Sequence, residues 1–174
     1  LLLGGDPYAS QWEDRLYAKS AKVPSSLQER AAIRALSRLP DNFRHEVLSL
    51  VFAECNLERF SDVEHSELML HLIASHHGHA RPWVPVCLDN DPPDVSLERI
   101  GLSDIALTAE RRRSIVHHRV DSTVPLRFWS VTQTYGWWGI ALLESVLRLA
   151  DHRVSQIEAT MQLGNRIERI GELV

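Results

Sequence analysis

The chain is poor in cysteine, with only Cys55 and Cys87 in 174 residues. Two cysteines cannot build a disulfide framework, so a reducing compartment, the cytoplasm, is expected. Lysine is equally scarce, at Lys19 and Lys22 only. No apolar run approaches the roughly 20 residues of a membrane span, and no membrane partner is expected. The net charge of −4 and pI near 6.1 exclude a basic nucleic-acid coat. Any nucleic-acid contact must come from a local patch or a metal. Internal repeats and low-complexity tracts are also lacking. The opening Leu1-Leu2-Leu3-Gly4-Gly5 has neither a Met nor the charged start of a signal peptide. It reads as the end of a helix cut from a longer chain.

What is present is an ordinary globular composition, 44% hydrophobic and 24% charged. The length fits one domain, residues 1–174, with a core of its own. Gly4-Gly5-Asp6-Pro7 is a turn, and 8–22 is a short helix or a loop. Ser26 with Glu29 forms a capping box that opens a helix to Leu39, stopped by Pro40. A second helix is expected over 41–56, with Phe43, Val47, Leu50 and Val51 on its apolar side. Ser61 with Glu64 forms another box. The helix that follows carries Leu68, Met69, Leu72 and Ile73 and should end with Gly78 as its C′ residue.

Four prolines, Pro82, Pro85, Pro92 and Pro93, keep 79–94 irregular. Residues 95–121 are hard to read: Ile105–Thr108 and Ser114–Val116 are short strands or part of a loop. Helical pattern returns at 123–135, is punctuated by Gly136, and resumes from Trp137 to about Ile157. The fold class is mainly α, with a long irregular segment around 79–121.

The nine histidines are clustered, with His71, His76, His77 and His79 close together and His117 beside His118. At the end of its helix, His76 sits above Leu72 and Ile73, and His77 above Ile73. Two neutral imidazoles closing an apolar stripe suit a metal. Two polar residues at a helix C-terminus, favoured by the dipole, are the plainer reading. His45 opens another helix and alone reads as structural or solvated. Asp151 has Leu147 and Val154 on its flank, where an unpaired carboxylate would lose several kcal/mol. It needs a cation, either Arg148 three residues before it or a metal. Arg111-Arg112-Arg113 with His117, His118 and Arg119 form a solvated basic loop or a phosphate-attracting patch. Phe128, Trp129, Tyr135, Trp137 and Trp138 read as core and helix-junction packing. Trp83, in the proline-rich loop, is the better stacking candidate.

Three segments together carry a resemblance. They are Phe43-Arg44-His45-Glu46, then Ala74-Ser75-His76-His77-Gly78-His79-Ala80-Arg81-Pro82, then Tyr135-Gly136-Trp137-Trp138 running into Arg148-Leu149-Ala150-Asp151-His152-Arg153. In this order they resemble the HD-type nuclease domain of the CRISPR-associated nuclease–helicase of type I systems. The resemblance covers residues 43–153. It implies an HD-type helical bundle and a metal-dependent DNA nuclease that degrades single-stranded DNA in antiviral defence. It also implies a helicase in the same chain or a separate one, and recruitment by an RNA-guided surveillance complex.

By the same resemblance, His45, His76, His77 and Asp151 are metal ligands. His79, Arg81 and Trp83 would touch the nucleic acid. The cofactor expected is one or two divalent transition ions, Mn²⁺, Fe²⁺, Ni²⁺ or Co²⁺. Mg²⁺, which prefers oxygen ligands, fits less well. No catalytic side chain is implied beyond the ligands. The family's first His and its His-Asp pair do not occur in this sequence. In the family they lie upstream, so the domain is expected to be truncated at its N-terminus, and the fragment inactive or weakly metallated. Two alternatives stay open. One is an HD-type phosphohydrolase for nucleotides or cyclic dinucleotides, and the other is a degenerate, non-catalytic HD-like docking module.

Overall fold

The structure is a computed structural model that describes residues 26–28, 31, 40, 42–60, 62–92, 94–97 and 102–171. The Gly4–Pro7 turn, the 8–22 segment and most of the helix expected from Ser26 to Leu39 lie outside the described residues. Two compact units divide the chain, one of them Pro40–Leu147 and the other including Arg148 onward.

The described residues are mostly helical, as the apolar spacing predicts. Helix α1 spans His45–Cys55 and helix α2 spans Ser66–Ser75. A 3-10 turn, Leu57–Phe60, lies between them in the chain. Strand β1 (Val95–Leu97) pairs antiparallel with strand β2 (Leu102–Leu107), with a register irregularity between Ser96 and Leu97. Helix α3 is Ala109–Ser114, capped by Thr108, whose hydroxyl accepts from the Arg111 N–H at 3.2 Å. Helix α4 spans Thr123–Gly171 and is broken at Gly136, where φ is 72° and ψ 161°. Pro125 falls in the first turn of α4, where its missing N–H costs no intrahelical bond.

Helix α1 organises the core of the Pro40–Leu147 unit because it buries two faces. Leu50 and Ala53 pack with Leu70 and Ala74 of α2, and with Ala80, Val84 and Val124. Leu48 and Val51 pack with Leu107 of β2, and with Phe43 and Ile115. Leu50 and Leu70 are fully buried. Full burial of a leucine side chain stabilises by roughly 1.5–3 kcal/mol, so this pair anchors α2 to α1.

Several expectations shift. Helix α2 begins at Ser66 after His65, three residues beyond the turn that the Ser61–Glu64 box was to start, and no side chain caps it. Its fully buried stripe is Leu70, His71, Ala74 and Ser75, while Leu68, Met69, Leu72 and Ile73 are half-buried. The helix ends at Ser75 rather than at the residue before Gly78, because His76 turns back to cap the preceding carbonyls. Gly78 still takes a positive φ of 88° and donates its N–H to Ser75 O at 2.7 Å. The irregular stretch holds over the described residues 79–92 and 94, but β1, β2 and α3 fill much of 95–114.

The tryptophans are the clearest correction. Phe128 is buried, but Trp129, Trp137 and Trp138 are 47%, 62% and 88% exposed. Trp129 and Trp137 meet edge-on at 5.8 Å and both contact the Phe128 ring. They form a surface cluster over Phe128, since the break at Gly136 resets the helical phase and turns Trp137 and Trp138 outward.

Candidate metal centre

Three of the predicted ligands converge within the Pro40–Leu147 unit. His45 is the first residue of α1, and His76 and His77 close α2. The packing of α1 on α2 through Leu50, Leu70 and Ala74 brings these ends together. His45 Nε2 and His77 Nε2 stand 2.9 Å apart. The ring centroids are separated by 4.1 Å for His76–His77, 4.6 Å for His45–His77 and 5.6 Å for His45–His76. One nitrogen from each of the three rings lies within 4.8 Å of the others, and all three residues are half-buried.

The donor set fits a transition-metal ion. Two imidazole nitrogens at 2.9 Å need a shared proton or a shared cation between them. With metal–nitrogen bonds of about 2.1 Å, two ligand nitrogens stand about 3.0 Å apart at a right angle and about 3.4 Å apart at the tetrahedral angle. The observed contact matches the first value. No separation in the triad exceeds the second by more than about 1.4 Å, since all three nitrogens lie within 4.8 Å of one another. His76 Nδ1 donates to Ile73 O at 2.8 Å, which fixes the ring and leaves Nε2 with its lone pair. Metal-ligating histidines are oriented by such backbone bonds. His45 Nδ1 faces the Glu46 carboxylate at 3.6 Å. That carboxylate is 1% exposed, and its Oε1 has no hydrogen-bond partner among the described residues. It stands directly behind the His45 ring of the triad. The same bond from His76 also satisfies an orphan carbonyl at a helix end, so the plainer capping role and the ligand role coexist in one side chain.

Asp151 belongs to the other unit, on α4 beyond Arg148. It is half-buried, and Leu147 and Val154 beside it are 36% and 54% exposed. The aliphatic flank that was to desolvate the carboxylate is therefore open. Of the residues expected to touch nucleic acid, Trp83 is exposed and His79 half-buried. Arg81 is held by Glu144.

That ion pair belongs to a polar centre the sequence does not announce. His71, fully buried on α2, meets Glu144 Oε1 of α4 at 2.8 Å, and Arg81 takes the other carboxylate oxygen. Burial pushes the Glu144 carboxyl up, but the His71 hydrogen bond and the charges of Arg81 and His71 outweigh it and hold it below the usual carboxylate value. A second network joins Glu54 to His117 at 3.0 Å and to Arg127 at 2.7 Å, and Arg127 to Glu67 at 3.0 Å. Glu54 is likewise raised by burial and lowered further by His117 and then Arg127, with a net depression. The available signal for Glu144 was its position inside the aliphatic run Ala141-Leu142-Leu143-Glu144-Ser145-Val146.

The basic stretch is largely neutralised in place. Arg112 pairs with Asp89 at 2.8 Å, Arg113 with Asp91 at 3.6 Å and Arg119 with Asp121 at 2.9 Å. Cys55 and Cys87 are not joined in a disulfide. Among the described residues, no helix is long and apolar enough to cross a membrane. No family model matches the chain, and neither a curated protein nor a solved structure matches it.

Proposed function

We propose that the chain is a metal-dependent phosphodiester hydrolase of the HD type, acting on single-stranded DNA. The observation that supports it is the convergence of His45, His76 and His77, the three histidines that the family resemblance implies as ligands. Three neutral imidazoles select Mn²⁺, Fe²⁺, Ni²⁺ or Co²⁺ over Mg²⁺. Such an ion, when bound, supplies a Lewis acid that brings the pKa of water toward neutrality.

The chain's own residues hold that ion and keep its ligands in one tautomer. Ile73 O fixes the His76 ring, and the Glu46 carboxylate stands behind His45. Hydrolysis then forms one bond from water oxygen to phosphorus and breaks one ester bond, with the water proton going to the leaving oxygen. No side-chain nucleophile is required. Asp151 enters as a further ligand from the family resemblance alone, as do a helicase partner, a guiding ribonucleoprotein complex and a role in antiviral defence, while a cytoplasmic site of action rests on the scarcity of cysteine.

The test is cleavage of a labelled single-stranded oligonucleotide by the full chain with Mn²⁺, Ni²⁺ or Co²⁺, beside mononucleotides and cyclic dinucleotides. Cleavage of the oligonucleotide that is lost with chelator and in His76→Ala and His45→Ala supports the reading. Cleavage of the small nucleotides alone transfers the site to a phosphohydrolase. Cleavage that persists unchanged in both variants refutes the assignment.

A further inference from the structure

A cleft of about 230 Å³ opens on the Pro40–Leu147 unit, between the start of α1, the 84–92 segment and the 112–118 segment. Its floor is apolar, formed by Phe43, Val47, Leu48, Val51 and Val84. An engineered apolar cavity of about 150 Å³ admits one benzene ring, so this volume seats a single ring system and not two. Its walls are cationic. Arg112 and His117 are spoken for by Asp89 and Glu54. Arg44 and His118 form no hydrogen bond or ion pair with another described side chain. Arg113 is held only by Asp91 at 3.6 Å, and that aspartate is fully exposed. With Arg112 on Asp89 and Arg113 facing Asp91, Arg44 is the arginine of the lining left over for an anion, in a molecule whose net charge is −4. Arg44 directly precedes His45, which ties one wall to the metal centre through α1.

We infer that this cleft is a nucleotide subsite, with the base on the Phe43–Val51 floor and its phosphate between Arg44, Arg113 and His118. An apolar slot for one ring with cations at its mouth is complementary to a flat, weakly polar body that carries an anion. Stacking on apolar and aromatic surface is sequence-tolerant, while the arginines follow the backbone charge. Asn90 and Asp89 line the same cleft and offer hydrogen-bonding groups to a base edge. The inference takes its ligand class from the hydrolase reading and names where one nucleotide of that substrate rests. The ligand is either a free nucleoside monophosphate or one residue of a strand.

The experiment is run without metal, in chelator, so that this subsite and the metal centre can fail separately. Binding of a fluorescein-labelled six-residue oligo-dT to the full chain is followed by anisotropy, with unlabelled dTMP as competitor. Alkylation of Cys87, which also lines the cleft, is followed by peptide mass spectrometry with and without the oligonucleotide. The double variant Arg44→Ala/Arg113→Ala should weaken binding about tenfold. It should also flatten the salt dependence by roughly 0.7 for each lost phosphate contact. Bound oligonucleotide should slow Cys87 alkylation several-fold. Competition by dTMP identifies a free-nucleotide site, and its failure beside tight oligonucleotide binding identifies a strand subsite. Equal affinity and an equal salt slope in the double variant, or Cys87 alkylation indifferent to bound oligonucleotide, overturns the inference.

Discussion

Replacing Glu144 by Gln keeps the side chain's size and removes its charge. Glu144 accepts from a His71 ring that is 1% exposed, and it is itself 3% exposed. A hydrogen bond to a charged group contributes about 1.5–3 kcal/mol. The Arg81 pair adds less, since Arg81 is 45% exposed and water screens it to below about 1 kcal/mol. The expected loss at pH 7 is therefore about 2–4 kcal/mol, against a total stability of roughly 5–15 kcal/mol for a domain. Urea denaturation should show a lower midpoint with an unchanged slope. The pH dependence has a definite sign. Glu144 is depressed below its ordinary value of 4.5, so its contribution is complete above 4.5 and is lost as pH falls through the lower, folded value. The gap between wild type and Glu144→Gln should thus be full at neutral pH and close as the solution is acidified below 4.5. A loss under about 0.5 kcal/mol, in the range of an ordinary surface substitution, or a gap that does not change with pH, would refute this reasoning.

Arg127→Met leaves Glu54 without its 2.7 Å partner and should cost about 3–5 kcal/mol, the range for breaking a buried pair. Thermal unfolding would read this, and because Glu54 is also depressed, the cost should again shrink below pH 4.5. Gly136→Ala meets no atom within 4 Å, so any loss is purely conformational. A backbone at φ 72° and ψ 161° is a region essentially reserved for glycine, and a loss of about 1–3 kcal/mol is expected in denaturant titration. Leu50→Ala, at a fully buried position, should cost about 2–5 kcal/mol by the same assay.

The sequence disclosed the features that are local. The stripe of α1 reads directly, because Val47, Leu50 and Val51 recur at the spacing i, i+3 and i+4 of a helix. The four prolines keep 79–94 free of regular structure, and Gly136 marks a break because few other residues accept its dihedrals. Features made by long-range contact were hidden. His71 and Glu144 are 73 residues apart, as are Arg127 and Glu54. Nothing in the local pattern selects those partners. The desolvation reasoning applied to Asp151 holds better for Glu144, which lies in a more strictly aliphatic run and is buried by the fold, as Glu46 is. The Ser61–Glu64 box failed because the turns through 62–65 delay the helix to Ser66. Large aromatic side chains are expected inside, yet Trp129, Trp137 and Trp138 are exposed, and for Trp137 and Trp138 the phase reset at Gly136 decides which way they face. The three histidines were named from pattern, and their convergence depends on α1 packing against α2, which no spacing rule contains.

The account turns on whether His45, His76 and His77 hold an ion together. Metal titration of the full chain, with the ion quantified by mass spectrometry after gel filtration, tests this directly in the wild type and in the three single alanine variants. The wild type should retain a transition-metal ion, and each variant should bind it at least 10–100-fold more weakly, the loss seen even when only a ligand's supporting contact is removed. A wild type that retains no metal, or variants that retain as much as the wild type, would contradict it.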